Sequence, residues 1–160
     1  MSFLTVSRKA WEIVERVRYA GYDAIQPFAT AQRDFYFPYT PYWHGVSSLN
    51  QGVLNILEEG LEQSWQRHQT VADHVRRAVV ELGYELFPKA SAIQSPTVTA
   101  IKVPSGRTWH EFDDSLRARG LGVGVNYGEL AGKVFRLGHM GTQASMELAD
   151  KALAVLAEVR

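Results

Sequence analysis

The chain has 160 residues, of which 46% are hydrophobic and 21% are charged, as in an ordinary globular protein. Its 17 basic residues balance 17 acidic ones, so the charge indicates neither a nucleic acid nor an anionic membrane as a partner. The absence of cysteine excludes disulfides, thiolate metal sites and cysteine nucleophiles. With no bilayer-length apolar run and no signal-peptide pattern at the start, we expect a cytoplasmic protein.

The first elements predicted are a strand over residues 2–6 and a helix that begins directly after it. Ser7 suits the N-cap of that helix, and Gly21 is expected to end it. The apolar side of the helix is supplied by Trp11, Ile13, Val14 and Val17. A strand that runs straight into a helix is typical of an α/β layer, which suggests that the chain is a portion of something larger.

Residues 21–46 are rich in aromatic side chains and prolines. Pro38 and Pro41 disfavour a regular helix around them and favour extended or turn conformations. The aromatic residues nearby are Phe35, Tyr36, Phe37, Tyr39, Tyr42 and Trp43. Aromatics at this density are typical of a core or an interface.

From Ser47 onward, apolar residues recur at the three- and four-residue spacing of one helix face. Gly60 is expected to divide this stretch into two helices, and Gly83 to close the second. His68 lies on that face, where it is either a ligand or, as we favour, a hydrogen-bonded core histidine.

Beyond Gly83, strands and helices alternate. The predicted strands cover residues 84–87, 97–103, 121–125 and 134–137. Thr108 and Glu111 form a capping box that opens one helix, and the apolar spacing from Leu148 to Val159 predicts another. This pattern predicts a small α/β sandwich, with a sheet packed by helices.

Two segments could carry chemistry. In the first, Arg136 ends an apolar strand and is followed by glycines; its planar guanidinium suits a carboxylate, but the residues alone favour pairing with an internal Asp or Glu, as buried arginines usually have. In the second, Tyr39 and Thr40 lie in a turn framed by prolines, which could present hydroxyls to a phosphate, although the residues alone favour packing of the aromatic rings. The scattered histidines and the glycine-rich 120–124 turn predict neither a metal site nor a nucleotide loop.

These segments resemble a known family. The stretch Gly128–Gly141 is similar to the C-terminal signature of class V aminotransferases of the alanine–glyoxylate and serine–glyoxylate type. Pro38–Pro41 resembles the family's turn after its large-domain core, and Glu59–His68 resembles its interdomain helix. Ser95–Thr99 is similar to the first central strand of its small domain, so the resemblance runs along the chain in the family's order.

The resemblance implies a fold-type I pyridoxal-phosphate transferase, with residues 1–46 a remnant of the large cofactor-binding domain. Residues 47–160 would then be the interdomain helix and the small C-terminal domain. Arg136 matches the arginine that binds the substrate's carboxylate. Thr40 matches the threonine that reaches across a dimer to the cofactor phosphate. This chain has Phe37 where some members of the family carry a second phosphate-binding residue, a tyrosine, so Tyr39 or Tyr36 would take that role.

The resemblance also implies what this chain lacks. None of the lysines Lys9, Lys89, Lys102, Lys133 and Lys151 stands at the family's Schiff-base motif, which would lie upstream of Met1. No catalytic residue is therefore expected in this chain. It is expected to be inactive alone, as a split subunit or a truncated product, and not to hold pyridoxal phosphate by itself.

The expected function is that of the C-terminal segment of an aminotransferase that moves an amino group from serine or alanine to glyoxylate or pyruvate. The expected partners are a second copy or an N-terminal catalytic portion, together with small amino-acid and keto-acid substrates. The alternative is a non-catalytic module derived from the same family, which dimerises or binds carboxylates. No metal, nucleic acid or membrane is expected.

Overall fold

The computed structural model describes residues 4–160, which form two compact units. The first unit extends to Asn55, and the second is Ile56–Arg160. The sequence analysis places its boundary after residue 46 instead. The assignment of the first part to a large cofactor-binding domain stays a prediction.

The first unit begins with helix α1 (Arg8–Val17). As predicted, the Ser7 hydroxyl caps it by accepting a hydrogen bond from the Ala10 amide at 3.2 Å. The helix ends earlier than Gly21, because Arg18 adopts the left-handed conformation (φ 50°) and its amide donates to the Val14 carbonyl. The predicted strand over residues 2–6 lies partly outside the described residues, and residues 4–6 form no strand.

A short 3₁₀ helix (Gln26–Ala29) and helix α2 (Ala31–Asp34) follow. The proline-containing segment after them is irregular, as its composition predicts. Four rings pack into an aromatic cluster (Tyr22, Phe28, Phe37, Tyr39). The Tyr39 ring centroid lies 5.0 Å from that of Tyr22 and 5.8 Å from that of Phe28. Ring packing therefore fixes the start of the predicted phosphate-binding turn.

Two long helices, α3 (Trp43–Glu59) and α4 (Leu61–Glu81), come next. Gly60 separates them, as predicted, with a φ of 92° that a residue with a side chain rarely adopts. Helix α3 starts at Trp43 rather than at Ser47, and none of its side chains is buried. Helix α4 buries one apolar face, formed by Val71, Ala72, Val75 and Val79.

The second unit contains an antiparallel sheet of three strands in the order β1-β3-β2: β1 (Val98–Lys102), β2 (Gly124–Val125) and β3 (Val134–Gly138). The predictions of β1 and β3 are confirmed, and the strand predicted over 121–125 shrinks to two residues. The strand predicted over 84–87 is wrong, since only Leu86 forms a bridge, to Ile101. The Tyr84 amide donates a hydrogen bond to the Val79 carbonyl near the end of α4, and Pro88, which follows Phe87, has no amide hydrogen to donate. Between these two limits, a single pair of residues forms a β-bridge.

Helices α4, α5 (Trp109–Arg117) and α6 (Met146–Val159) pack around one core with one face of the sheet. The predicted capping box of α5 is confirmed, because Thr108 and Glu111 each bond the other's backbone amide. The five largest fully buried core side chains are those of Phe112, Phe135, Ile101, Leu116 and Leu156. Strand residues alternate between the core face and the opposite face, and this alternation positions Arg136.

Candidate functional site

Arg136 lies on the face of the sheet that does not pack into the core. Its neighbours along β3, Phe135 and Leu137, are buried, whereas Arg136 is exposed. The register places Ala100 of β1 on one side of Arg136 and Gly124 of β2 on the other. The central strand of the sheet therefore presents one guanidinium between two small residues.

The guanidinium of Arg136 is oriented by strand β2. Its Nη2 donates a hydrogen bond to the Val125 carbonyl at 2.6 Å. A Cβ on Gly124 would lie 3.5 Å from both Nε and Nη2, so the side chain passes directly over that glycine. Within residues 4–160, no Asp or Glu forms an ion pair with Arg136, and no second hydrogen bond uses its donors. The alternative of an internal acidic partner therefore finds no support in the described part of the chain.

The turn after β3 is held by side chains of helix α4. The Gly141 amide donates to His68 Nε2 at 2.9 Å, and His68 Nδ1 lies 2.7 Å from the Ser64 carbonyl. Because Nε2 accepts, Nδ1 carries the proton in this arrangement. His68 is therefore half-buried and uses both ring nitrogens in hydrogen bonds to the backbone. This arrangement agrees with the hydrogen-bonded histidine that the sequence favours over a ligand.

Arg67, next to His68, holds the same turn from another side. Its Nη1 donates to the carbonyls of Gly141 and Ala144, both at 2.8 Å. Its Nε and Nη2 donate to the two carboxylate oxygens of Glu59, and this pairing raises the pKa of Arg67 and lowers that of Glu59. No local sequence pattern identifies Arg67, since its partners in the turn lie 74 and 77 residues away.

His139, just before this turn, is only 2% exposed. Its Nε2 lies 2.8 Å from the Thr99 hydroxyl, and its amide donates to the Thr97 carbonyl at 2.9 Å. Burial lowers the pKa of the imidazole, and the positive charge of Arg76 acts in the same direction. A neutral His139 therefore ties the end of β3 to β1.

Thr40 and Tyr39 belong to the first unit. Thr40 is exposed, and its hydroxyl forms no hydrogen bond with another described residue. The Tyr39 hydroxyl donates to the Tyr22 carbonyl, and its ring belongs to the aromatic cluster. Of the two residues predicted to bind phosphate, Thr40 therefore has its donor available, whereas the Tyr39 proton is already engaged.

No lysine among the described residues is buried. Lys102 pairs with Glu85 and Lys151 with Glu147, while Lys9, Lys89 and Lys133 are exposed.

The described residues also contain no cluster of His, Asp or Glu suited to a metal ion. Over the same residues, no helix is both long and apolar enough to cross a membrane. The exposed Thr40 hydroxyl has the chemistry to donate a hydrogen bond to a phosphate, the end of pyridoxal phosphate that the resemblance assigns to it.

No protein-family model matches the chain. The alanine–glyoxylate aminotransferase of Oryctolagus cuniculus is 36% identical over 115 residues, which are 71% of this chain and 29% of that protein. The L-aspartate–glyoxylate aminotransferase of Paracoccus denitrificans is 35% identical over 149 residues, 89% of this chain and 36% of that protein. A crystal structure of an alanine–glyoxylate aminotransferase from Nostoc sp. matches 97% of this chain and 42% of its own, with a TM-score of 0.87 at 26% identity.

The chain is homologous to the C-terminal part of these aminotransferases. It spans less than half the length of each of these three proteins. Its fold is a partial fold-type I fold of the pyridoxal-phosphate-dependent aminotransferases, as the resemblance implied. The roles of Arg136, Thr40 and Tyr39 stay predictions.

Proposed function

We propose that this chain supplies the carboxylate-binding domain of a pyridoxal-phosphate-dependent aminotransferase, and that Arg136 binds the substrate's carboxylate. The observation that carries the proposal is a guanidinium presented on an open sheet face with no acidic partner among residues 4–160. A carboxylate there would gain two charge-assisted hydrogen bonds. The substrates would be small amino acids and 2-oxo acids, such as alanine, serine, pyruvate and glyoxylate.

The geometry suits a planar anion. One donor of Arg136 is used by the Val125 carbonyl, which restrains the plane of the guanidinium before a ligand arrives. The remaining donors keep the fork that matches two carboxylate oxygens. Ala100 and Gly124 on either side leave space for the ligand to approach the strand closely. The role of this chain is therefore to hold and orient the substrate.

Calorimetric titration of the 160-residue chain with pyruvate or alanine tests this role. We expect Arg136→Ala to weaken binding by about tenfold or more, since a charge-assisted pair is lost. Arg77→Ala is the matched control, because Arg77 is an exposed arginine of the same unit with no hydrogen bond to a described residue. Equal affinities for the wild type and Arg136→Ala, with folding intact by circular dichroism, would remove the carboxylate role.

We further propose that the other part of the fold supplies the Schiff-base lysine, either in the same polypeptide or in a second chain. Pyridoxal phosphate, when bound, supplies the electron sink for amino-group transfer. Thr40 would donate one hydrogen bond to its phosphate across a dimer. Helix α3 supports a partner of this kind, because all of its large apolar side chains are exposed: Trp43, Val46, Leu49, Val53, Leu54, Ile56 and Leu57.

Co-expression tests the requirement for this partner. The chain produced together with the segment encoded directly ahead of it should purify as a complex with the yellow colour of a bound cofactor. The chain alone should take up no stoichiometric cofactor on borohydride reduction. Recovery of two separate, colourless proteins would contradict the proposed assembly, and one labelled lysine in the isolated chain would contradict its predicted inactivity.

A further inference from the structure

The turn that follows Arg136 carries an exposed methionine. Met140 is 52% exposed although it stands between the buried residues His139 and Ala144 in the turn. A Cβ on Gly138 would lie 3.9 Å from the Met140 Cε. Gly138 is two residues after Arg136 on β3, so this Cβ would point to the face that carries the guanidinium. The Met140 methyl group therefore lies over the sheet face on which Arg136 is presented.

The turn that presents Met140 is held more firmly than an ordinary surface turn. Arg67 donates to the carbonyls of Gly141 and Ala144, and His68 accepts from the Gly141 amide. The fork between Arg67 and Glu59 holds the guanidinium in the plane that reaches both carbonyls. Side chains of α4 therefore form hydrogen bonds with three backbone groups of this turn: the Gly141 amide, the Gly141 carbonyl and the Ala144 carbonyl. All three lie within four residues after Met140.

We propose that Met140 is a specificity-determining residue beside the carboxylate site, and that Arg67 and His68 are positioning residues that hold it there. This inference rests on the proposed role of Arg136. Gly138 is two residues from Arg136 along the strand, a span of about 7 Å. The Met140 methyl group lies near the Cβ position of Gly138, so it stands within reach of the side chain of a small substrate whose carboxylate is bound by Arg136.

The thioether would limit what this side of the site accepts. A methyl or hydroxymethyl group next to the bound carboxylate leaves Met140 in place, whereas a branched alkyl group requires the methionine to move. Methionine is flexible, so the effect is a graded preference for small substituents and not an absolute block. The turn sets the strength of this preference, because a methionine on a loose turn would yield more easily.

The test compares a small and a branched 2-oxo acid, pyruvate and 4-methyl-2-oxopentanoate, titrated into the 160-residue chain. In Met140→Ala, we expect the ratio of their dissociation constants to shift in favour of the branched acid by about fourfold or more, the effect of at least one buried methylene group. Met146→Ala is the matched control, since Met146 is 41% exposed on α6, and its ratio should equal that of the wild type.

A second pair of variants tests the positioning residues. Arg67→Gln removes the bonds to the turn and to Glu59, while Arg77→Gln removes an exposed arginine of the same helix. We expect Arg67→Gln to shift the ratio in the same direction as Met140→Ala, and Arg77→Gln to leave it unchanged. A residue that only stabilises the fold would lower both affinities together and would leave their ratio constant.

The outcomes separate the two proposals. Equal pyruvate affinity in the wild type and Arg136→Ala would overturn the proposed function itself. Dependence on Arg136 with an unchanged ratio in Met140→Ala would overturn the specificity role alone. A shifted ratio in Met140→Ala, with none in Arg67→Gln, would overturn the positioning role of Arg67.

Discussion

The charge of Arg136 is balanced differently from that of three other arginines in its unit. Arg67 pairs with Glu59, Arg117 with Asp113 and Arg119 with Glu158. Arg136 donates instead to a neutral carbonyl, which orients the guanidinium without cancelling its charge. An arginine held in this way attracts an anion and offers it a prepared geometry, because little side-chain freedom remains to be lost on binding.

A second residue, His139, makes stability depend on pH. Burial lowers its pKa, so the folded chain binds this proton less readily than the unfolded chain does. The stability that the neutral imidazole provides is complete above its unfolded pKa of about 6.5 and is lost as the pH falls from there toward the folded pKa. Urea unfolding from pH 8 to pH 5.5 should therefore show a steeper loss of unfolding free energy in the wild type than in His139→Gln.

The control for this pH effect is His110→Gln, since His110 is exposed at the start of α5. Its pH slope should match that of the wild type, because this variant keeps the buried His139. Comparing the pH slopes of the unfolding free energy, rather than its absolute values, also removes the pH-independent loss of stability caused by replacing a buried side chain. A slope in His139→Gln equal to that of the wild type would contradict the assignment.

At the scale of elements, the sequence predicts best where a local chemical signal decides the structure. Ser7 caps α1, Gly60 separates α3 from α4, and Thr108 with Glu111 opens α5. Each of these signals acts within about four residues, so no knowledge of distant parts of the chain is needed.

Elements that depend on distant partners are predicted less well. Residues 84–87 have the composition of a strand, but hydrogen bonding to the end of α4 and the following Pro88 leave a single bridge. Strand β2 is short because its pairing with β3 covers Gly124 and Val125 alone. Neither limit is visible in a local pattern.

The same distinction applies to the site. The residues alone favoured an internal acidic partner for Arg136 over a carboxylate ligand, and only the family resemblance favoured the ligand. Arg67 was missed, because its contacts join α4 to a turn more than seventy residues away. Met140 was missed, because its place over the Arg136 face of the sheet depends on how the turn after β3 folds back. A sequence pattern identifies an arginine on a helix, but it does not identify the carbonyls that the arginine will reach.

At the scale of the whole molecule, burial is distributed unevenly. Every residue of the hydrophobic core cluster belongs to the second unit, Ile56–Arg160. Within residues 4–55, the only buried hydrophobic residue is Ala24. Because apolar burial offsets the entropy lost on ordering the chain, the first unit has little with which to stabilise itself.

This imbalance predicts two levels of protection in native-state hydrogen exchange of the chain alone. Amides of β3 and of the buried face of α4 should exchange only through global unfolding, whereas those of α1 should exchange through local opening, orders of magnitude faster. Adding urea should increase the exchange rates of the β3 and α4 amides steeply and those of the α1 amides little, since local opening exposes little surface.

The partner proposed above should change this pattern in a specific way. In a complex with the lysine-bearing segment, α1 should gain protection, because apolar side chains such as Ile13 and Val17 would then be covered. The core amides of the second unit should change far less, since their burial is complete within this chain. If α1 in the isolated chain were already as protected as β3, the first unit would be stable on its own, and its exposed apolar surface would no longer argue for a partner.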